Sequence, residues 1–150
     1  MEIRQLTESD AAVIATWRYP GRYATYDIGE IVTPERGFWA VDHDADLVGY
    51  CCFGREARVP GVDEEDGVLD VGYGMRPDLV GHRLGRGFVR AILDFAVERH
   101  TPQRFRLLIL DWNDRSRKAA EALGFQREGV QESTDGDFLV MTREARLSDE

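Results

Sequence analysis

At 150 residues with a formal net charge of −9, the chain is expected to form a single domain over residues 1–150, large enough to bury about two-thirds of its unfolded surface. The acidic balance argues against a nucleic-acid partner, because no long basic face offsets phosphate repulsion. No run of roughly 18 apolar residues occurs and the chain opens on strand-like Ile3-Arg4-Gln5-Leu6, so neither a signal peptide nor a membrane span is expected, and a cytoplasmic location follows. In chain order, a capping-box-like Thr7-x-x-Asp10 precedes a helix over Ala11–Trp17. The segment Tyr19–Tyr26, interrupted by Pro20-Gly21, reads as broken helix or loop. Gly37–Val41 and Leu47–Phe53 read as a hairpin around the turn-rich Asp42–Asp46. The adjacent Cys51 and Cys52 are poorly placed to bridge each other, no CxxC or His/Cys spacing suggests a metal, and none is expected.

An acidic loop, Asp63–Asp66, leads into a strand over Val68–Met75, and Pro77 ends it. The turn that follows reads Val80-Gly81-His82-Arg83-Leu84-Gly85-Arg86-Gly87. Apolar residues at Leu84, Phe88, Val89, Ile92, Leu93, Ala96 and Val97 then recur at helical spacing. The glycines therefore sit at a helix N-terminus, where N–H groups lack intrahelical partners and the helix dipole favours an anion. Arg76, His82, Arg83, Arg86 and Arg90 gather here in an otherwise acidic protein. Two phosphate motifs fail on spacing. A P-loop needs Lys-Ser or Lys-Thr where Arg86-Gly87 stands, and a dinucleotide fingerprint opening at Gly72-x-Gly74 meets Pro77 at its third glycine.

A third motif remains. The chain resembles the GNAT N-acetyltransferases over essentially its whole length, through the order of its motifs. The family's acyl-CoA turn, Arg/Gln-x-x-Gly-x-Gly/Ala, lies on Val80, Gly81, His82, Arg83, Leu84 and Gly85, with Val80 in place of Arg/Gln and Arg83 in place of the first Gly. A second block runs from a buried strand, Phe105–Asp111, into Asn113-x-x-Ser116-x-x-Ala119-Ala120-x-x-Leu123-Gly124-Phe125, which is similar to the family's fourth helix and its Gly-Phe close. Ala120 stands where many relatives keep the tyrosine that protonates the departing thiolate. The final strands are expected at Gln126–Gln131 and Asp137–Thr142.

The resemblance implies an α/β (α+β) fold, a mixed and mostly antiparallel sheet of about six to seven strands flanked by about four helices. It implies acetyl-CoA as cosubstrate, without a metal, and direct transfer to a primary amine of a small cationic molecule or peptide. A non-catalytic acyl-CoA-binding or regulatory module is the alternative, and a homodimer is what many relatives form. Cofactor contacts fall on Gly74, Met75, Val80, Gly81, His82, Arg83, Leu84, Gly85, Arg86, Asn113 and Ser116, with the thioester carbonyl receiving a backbone N–H near Tyr73 to Met75. An alkylamine with a pKa near 10 must lose a proton before attack, which calls for a base. Asp70, the acidic residue inside the Val68–Met75 strand, is the candidate, with Asp111 as rival and Tyr73 as a substitute acid. Trp17, Tyr19, Tyr23 and Tyr26 fall where the family builds its acceptor wall, and their rings suit a cation.

Overall fold

The computed structural model describes residues 1–146. Strand β1 (Glu2–Gln5) leads into helix α1 (Glu8–Ile14), which begins at the box read in the sequence. Thr7 Oγ1 accepts from the Asp10 N–H at 3.1 Å, and an Asp10 carboxylate oxygen accepts from the Thr7 N–H at 2.9 Å. The helix is shifted toward the N-terminus relative to the expected Ala11–Trp17. Its last turn tightens, with the Trp17 N–H donating to the Ile14 carbonyl, and the Trp17 side chain turns into the core.

Arg4 on β1 bridges two carboxylates, its Nη1 lying 2.7 Å from Asp10 and its Nε 2.6 Å from Asp42. The Arg4 hydrogen bonds, reinforced by those from Thr7, pull the Asp10 carboxyl down to about 2. A carboxylate depressed below its unfolded value of about 4 stabilises the fold above that pH and loses its contribution as pH falls through the folded value. Asp10→Asn is therefore expected to cost on the order of 1 kcal/mol at neutral pH after solvent screening. The gap to the wild type should close between about pH 4 and pH 2, as read by urea unfolding at stepped pH.

Strands β2 (Trp39–His43) and β3 (Asp46–Phe53) form the expected hairpin, but its turn is tighter than Asp42–Asp46. His43 pairs with Asp46 directly, leaving Asp44 and Ala45 as the two central residues, at φ 51° and 68°. Two positive φ values match the hand of the sheet's twist but put a Cβ in the left-handed region, where glycine is at ease and alanine is not. Ala45→Gly is expected to raise stability by about 0.5–1 kcal/mol, visible as a higher thermal midpoint with unchanged activity.

The chain forms two compact units, Met1–Cys52 with Tyr73–Ile92, and Phe53–Gly72 with the residues from Leu93 onward. Strand β4 (Val68–Met75) and helix α2 (Gly85–His100) each pass from one unit into the other. In the first unit β1, β2 and β3 are antiparallel, and the Arg76 N–H just past β4 donates to the Val48 carbonyl of β3 at 2.8 Å. Its core gathers Ile14, Trp17, Phe38, Val41, Tyr50 and Phe88, all buried. Two glycines permit that packing. A Cβ on Gly49 would collide with the Phe88 ring and one on Gly74 with the Tyr50 ring.

In the second unit β4 runs parallel to β5 (Arg104–Leu110), with Val68–Asp70 set against Arg104–Arg106. Helix α3 (Asp114–Ala122) is followed by Gly124, whose φ of 91° makes a left-handed stop. Strands β6 (Gln126–Ser133) and β7 (Gly136–Glu144) are longer than expected, and β7 pairs antiparallel with both β5 and β6. Phe105, Leu107, Ile109, Leu139 and Met141 fill this core. The strand order is β1-β2-β3-β4-β5-β7-β6, a mixed and mostly antiparallel sheet as anticipated. Among the described residues the helices number three α-helices, with short 3-10 turns such as Gly21–Tyr26 standing where further helix was expected. None of these helices is long and apolar enough to cross a membrane.

Candidate active site

The turn between β4 and α2 takes the form that an anion requires. Val80 follows a 3-10 turn at Pro77–Leu79, Gly81 adopts φ 87°, the His82 N–H returns to the Leu79 carbonyl at 3.2 Å, and Arg83 adopts φ 64°. Arg83 thus occupies a left-handed conformation that glycine would take without strain, at a cost of about 1–2 kcal/mol. Leu84 is half-buried and its carbonyl accepts the Phe88 N–H, the first bond of α2. The N–H groups of Gly85, Arg86 and Gly87 therefore open the helix without intrahelical acceptors. No atom lies within 4 Å of where a Cβ would stand on Gly85 or Gly87, so a ligand meets bare backbone there. The residues present fit a pyrophosphate.

The basic cluster divides by role. Arg76 is held by Asp78 at 2.7 Å and by the Leu47 carbonyl at 3.0 Å, which ties down the end of β4. His82, Arg83, Arg86 and Arg90 are exposed around the turn. Upstream on β4, Tyr73 stands edge-on to Phe88 at 5.9 Å between ring centroids, and Gly74 lies under the Tyr50 ring. Met75 presents its carbonyl to the Tyr19 hydroxyl, which donates to it at 2.5 Å.

The aromatic residues assigned to an acceptor wall separate. Trp17 is 8% exposed and stacked on Tyr50 at 6.2 Å, so it belongs to the core and offers no face to a substrate. Tyr19, Tyr23 and Tyr26 remain half-buried and touch in series, Tyr19 edge-on to Tyr26 at 6.5 Å and Tyr23 tilted against Tyr26 at 6.4 Å.

In the second unit, the carboxylate expected to act as base is committed elsewhere. Asp70 is 1% exposed, and Arg106 grips it with two parallel contacts, Nε to Oδ1 at 2.6 Å and Nη2 to Oδ2 at 3.0 Å. Arg58 Nη1 adds a third at 3.1 Å. Two guanidiniums on a buried carboxylate fill its lone pairs, leaving no approach for an amine proton. That is the geometry of a structural ion pair, and the assignment of Asp70 as base is corrected accordingly. The hydrogen bonds to Asp70 in turn raise the pKa of Arg106, against the lowering effect of its burial.

Asn113 caps α3, its side-chain oxygen accepting the Ser116 N–H at 3.1 Å. Both cofactor candidates of this block therefore lie at the first turn of α3. Ala120 is buried in the core, with its carbonyl accepting from the Phe125 N–H, and no phenol stands there. Sequence reading missed Arg58, Arg106 and Tyr50. Arg106 carried a faint signal, a charge inside an otherwise apolar strand, whereas nothing local marked the other two.

Residues 1–126 match the family described as Acetyltransferase (GNAT) domain. The chain belongs to the GNAT acetyltransferases. It is by that membership an enzyme that takes acetyl groups from acetyl-CoA onto nitrogen. No curated protein matches in sequence. Among solved structures, the aminoglycoside acetyltransferase AAC(6')-Ib in complex with coenzyme A superposes with a TM-score of 0.78 at 20% identity, covering 95% of this chain and 93% of that one. A spermidine N-acetyltransferase SpeG chimera from Vibrio cholerae and hSSAT gives 0.70 at 15% identity, covering 96% and 95%. The ribosomal-protein-S5-alanine acetyltransferase of Vibrio fischeri gives 0.64 at 18%, covering 95% and 92%. At these identities the likeness is one of fold, and it places the GNAT arrangement over nearly the full chain.

Proposed function

We propose that this GNAT protein acetylates a primary amine on a small cationic molecule, an amino sugar or polyamine above a peptide terminus. The observation that carries the reading is the turn at residues 80–87, with its left-handed Gly81 and Arg83 and its unobstructed Gly85 and Gly87 opening α2. Acetyl-CoA supplies the activated acyl group. The N–H groups of Gly85, Arg86 and Gly87 bind the pyrophosphate, with Arg83 and Arg86 adding charge-assisted contacts. Asn113 and Ser116 are the contacts proposed from the start of α3. The end of β4, Tyr73 to Met75, supplies backbone donors for the thioester carbonyl oxygen, where negative charge develops as the amine attacks.

With Asp70 locked in its ion pair, the amine gives its proton to water held at the site, and Tyr73 is the nearest phenol on β4 to return one to the thiolate. Tyr23 and Tyr26 offer ring faces to a cation. The acidity spread over the surface draws such a molecule in. Aminoglycoside and spermidine acetyltransferases among the structural neighbours support that class of acceptor.

Isothermal titration with acetyl-CoA, with an adenine dinucleotide as control, tests the first half. Thiol release across a panel of kanamycin, spermidine and an alanine-terminated peptide tests the second. Selective acetyl-CoA binding with amine-dependent thiol release is the expected result. Absence of acetyl-CoA binding would overturn the reading of the turn, and binding without turnover on any amine would return the chain to a non-catalytic acyl-CoA module.

A further inference from the structure

The end of β4 has two edges, and the first unit shows which groups point to each. The Arg76 N–H donates to Val48 of β3, and the Gly74 carbonyl lies against the position a Cβ on Gly49 of β3 would fill. Backbone groups alternate along a strand, so the N–H and C=O of Met75, between these two residues, point to the opposite edge. Pairing along that edge covers Val68–Asp70, and Met75 lies past it. A strand-end residue there offers one donor and one acceptor side by side, and only the donor suits an incoming carbonyl oxygen. An adjacent, uncapped carbonyl would repel it.

The acceptor is occupied by Tyr19. Its hydroxyl donates to the Met75 carbonyl at 2.5 Å, across a sequence separation of 56 residues. The phenol is itself held in place. The Tyr19 N–H donates to Asp27 at 2.8 Å, and the ring stands edge-on to Tyr26. We propose that Tyr19 is a positioning residue for acetyl transfer, its hydroxyl capping the Met75 carbonyl and so fixing the backbone on the C-terminal side of Met75, which holds the preceding Met75 N–H aimed at the thioester carbonyl oxygen. This assigns Tyr19 to the acyl group, not to the acceptor wall, and it rests on the functional reading above. Burial, with the Asp27 charge nearby, pushes the Tyr19 phenol up to about 12, so it remains a protonated donor through the neutral range.

Tyr19→Phe keeps the ring and its edge contact and removes only the donor. Acetyl-CoA and CoA differ in the thioester carbonyl, so the ratio of their affinities by isothermal titration reads the proposed contact without knowledge of the acceptor. The expected result is a wild type that prefers acetyl-CoA, and a variant whose preference falls by about three- to tenfold while its affinity for CoA is unchanged. With an active amine in hand, kcat falls by a similar factor and the KM for the amine does not move. An unchanged ratio with unchanged kcat would overturn the proposal. Equal weakening of both nucleotides together with a lower thermal midpoint would overturn it too, by showing that the hydroxyl merely holds the loop. Should the wild type bind neither nucleotide, the functional reading fails first and the proposal with it.

Discussion

Asp70→Ala is expected to lower the stability of the protein by about 3–5 kcal/mol, the range found when one member of a buried ion pair is removed. The carboxylate is 1% exposed and shared by two arginines, Arg106 through a two-pronged contact and Arg58 through Nη1. Arg106 also donates to the Asp63 carbonyl at 2.7 Å, so the cluster fastens the acidic loop to β5. Without Asp70, two guanidiniums are left largely desolvated and facing each other. Asp70→Asn keeps the shape and one acceptor but loses the charge, and should fall between wild type and alanine. Urea unfolding read by fluorescence measures both. The same variants separate two roles for the residue. A base would lose turnover at unchanged stability, whereas a clamp loses stability while each folded molecule keeps its turnover. An unfolding midpoint within error of wild type for Asp70→Ala would sink the clamp.

Gly85→Glu should do the reverse, leaving the fold intact and removing the ligand. Nothing lies within 4 Å of the position a Cβ would take at Gly85, so the fold has room for a side chain there. Glutamate is a better helix former than glycine and interacts favourably with the N-terminal end of a helix dipole, so the thermal midpoint should hold or rise. The same carboxylate would stand where the pyrophosphate is proposed to bind, repelling it and covering the bare N–H groups. A loss of acetyl-CoA affinity on the order of 100-fold, about 2.7 kcal/mol, is expected by isothermal titration. Unchanged affinity would refute the placement of the phosphate at this turn.

What could be read before folding was local. The bounds of β4 follow from Val68-to-Met75 alternation closed by Pro77, and the course of α2 from apolar residues at helical spacing, because both signals are carried by neighbours in sequence. The capping box was legible for the same reason. The turn's place between β4 and α2 was legible too, although the positive φ at Arg83 was not. Readings went astray where the deciding partner is distant. Asp70 shows no sign in its own strand of Arg106, 36 residues on, or of Arg58. Trp17 looked like part of an aromatic wall, whereas its ring stacks on Tyr50 in the core, and nothing near Tyr19 in sequence announces the hydrogen bond from its hydroxyl to the Met75 carbonyl. The two-residue turn at Asp44–Ala45 escaped because it carries no glycine to announce it.

Gly74 and Tyr50 restrict the routes by which this sequence can drift. A methyl group on Gly74 collides with the Tyr50 ring, and a smaller residue in place of Tyr50 leaves a void beneath Trp17 and Phe38, whose rings pack on it. Each single step is blocked from one side, by crowding or by emptiness. The paired exchange, volume moved from position 50 to position 74, is the open path. A lineage that altered the floor beneath the end of β4 would thus have to change both sites nearly at once.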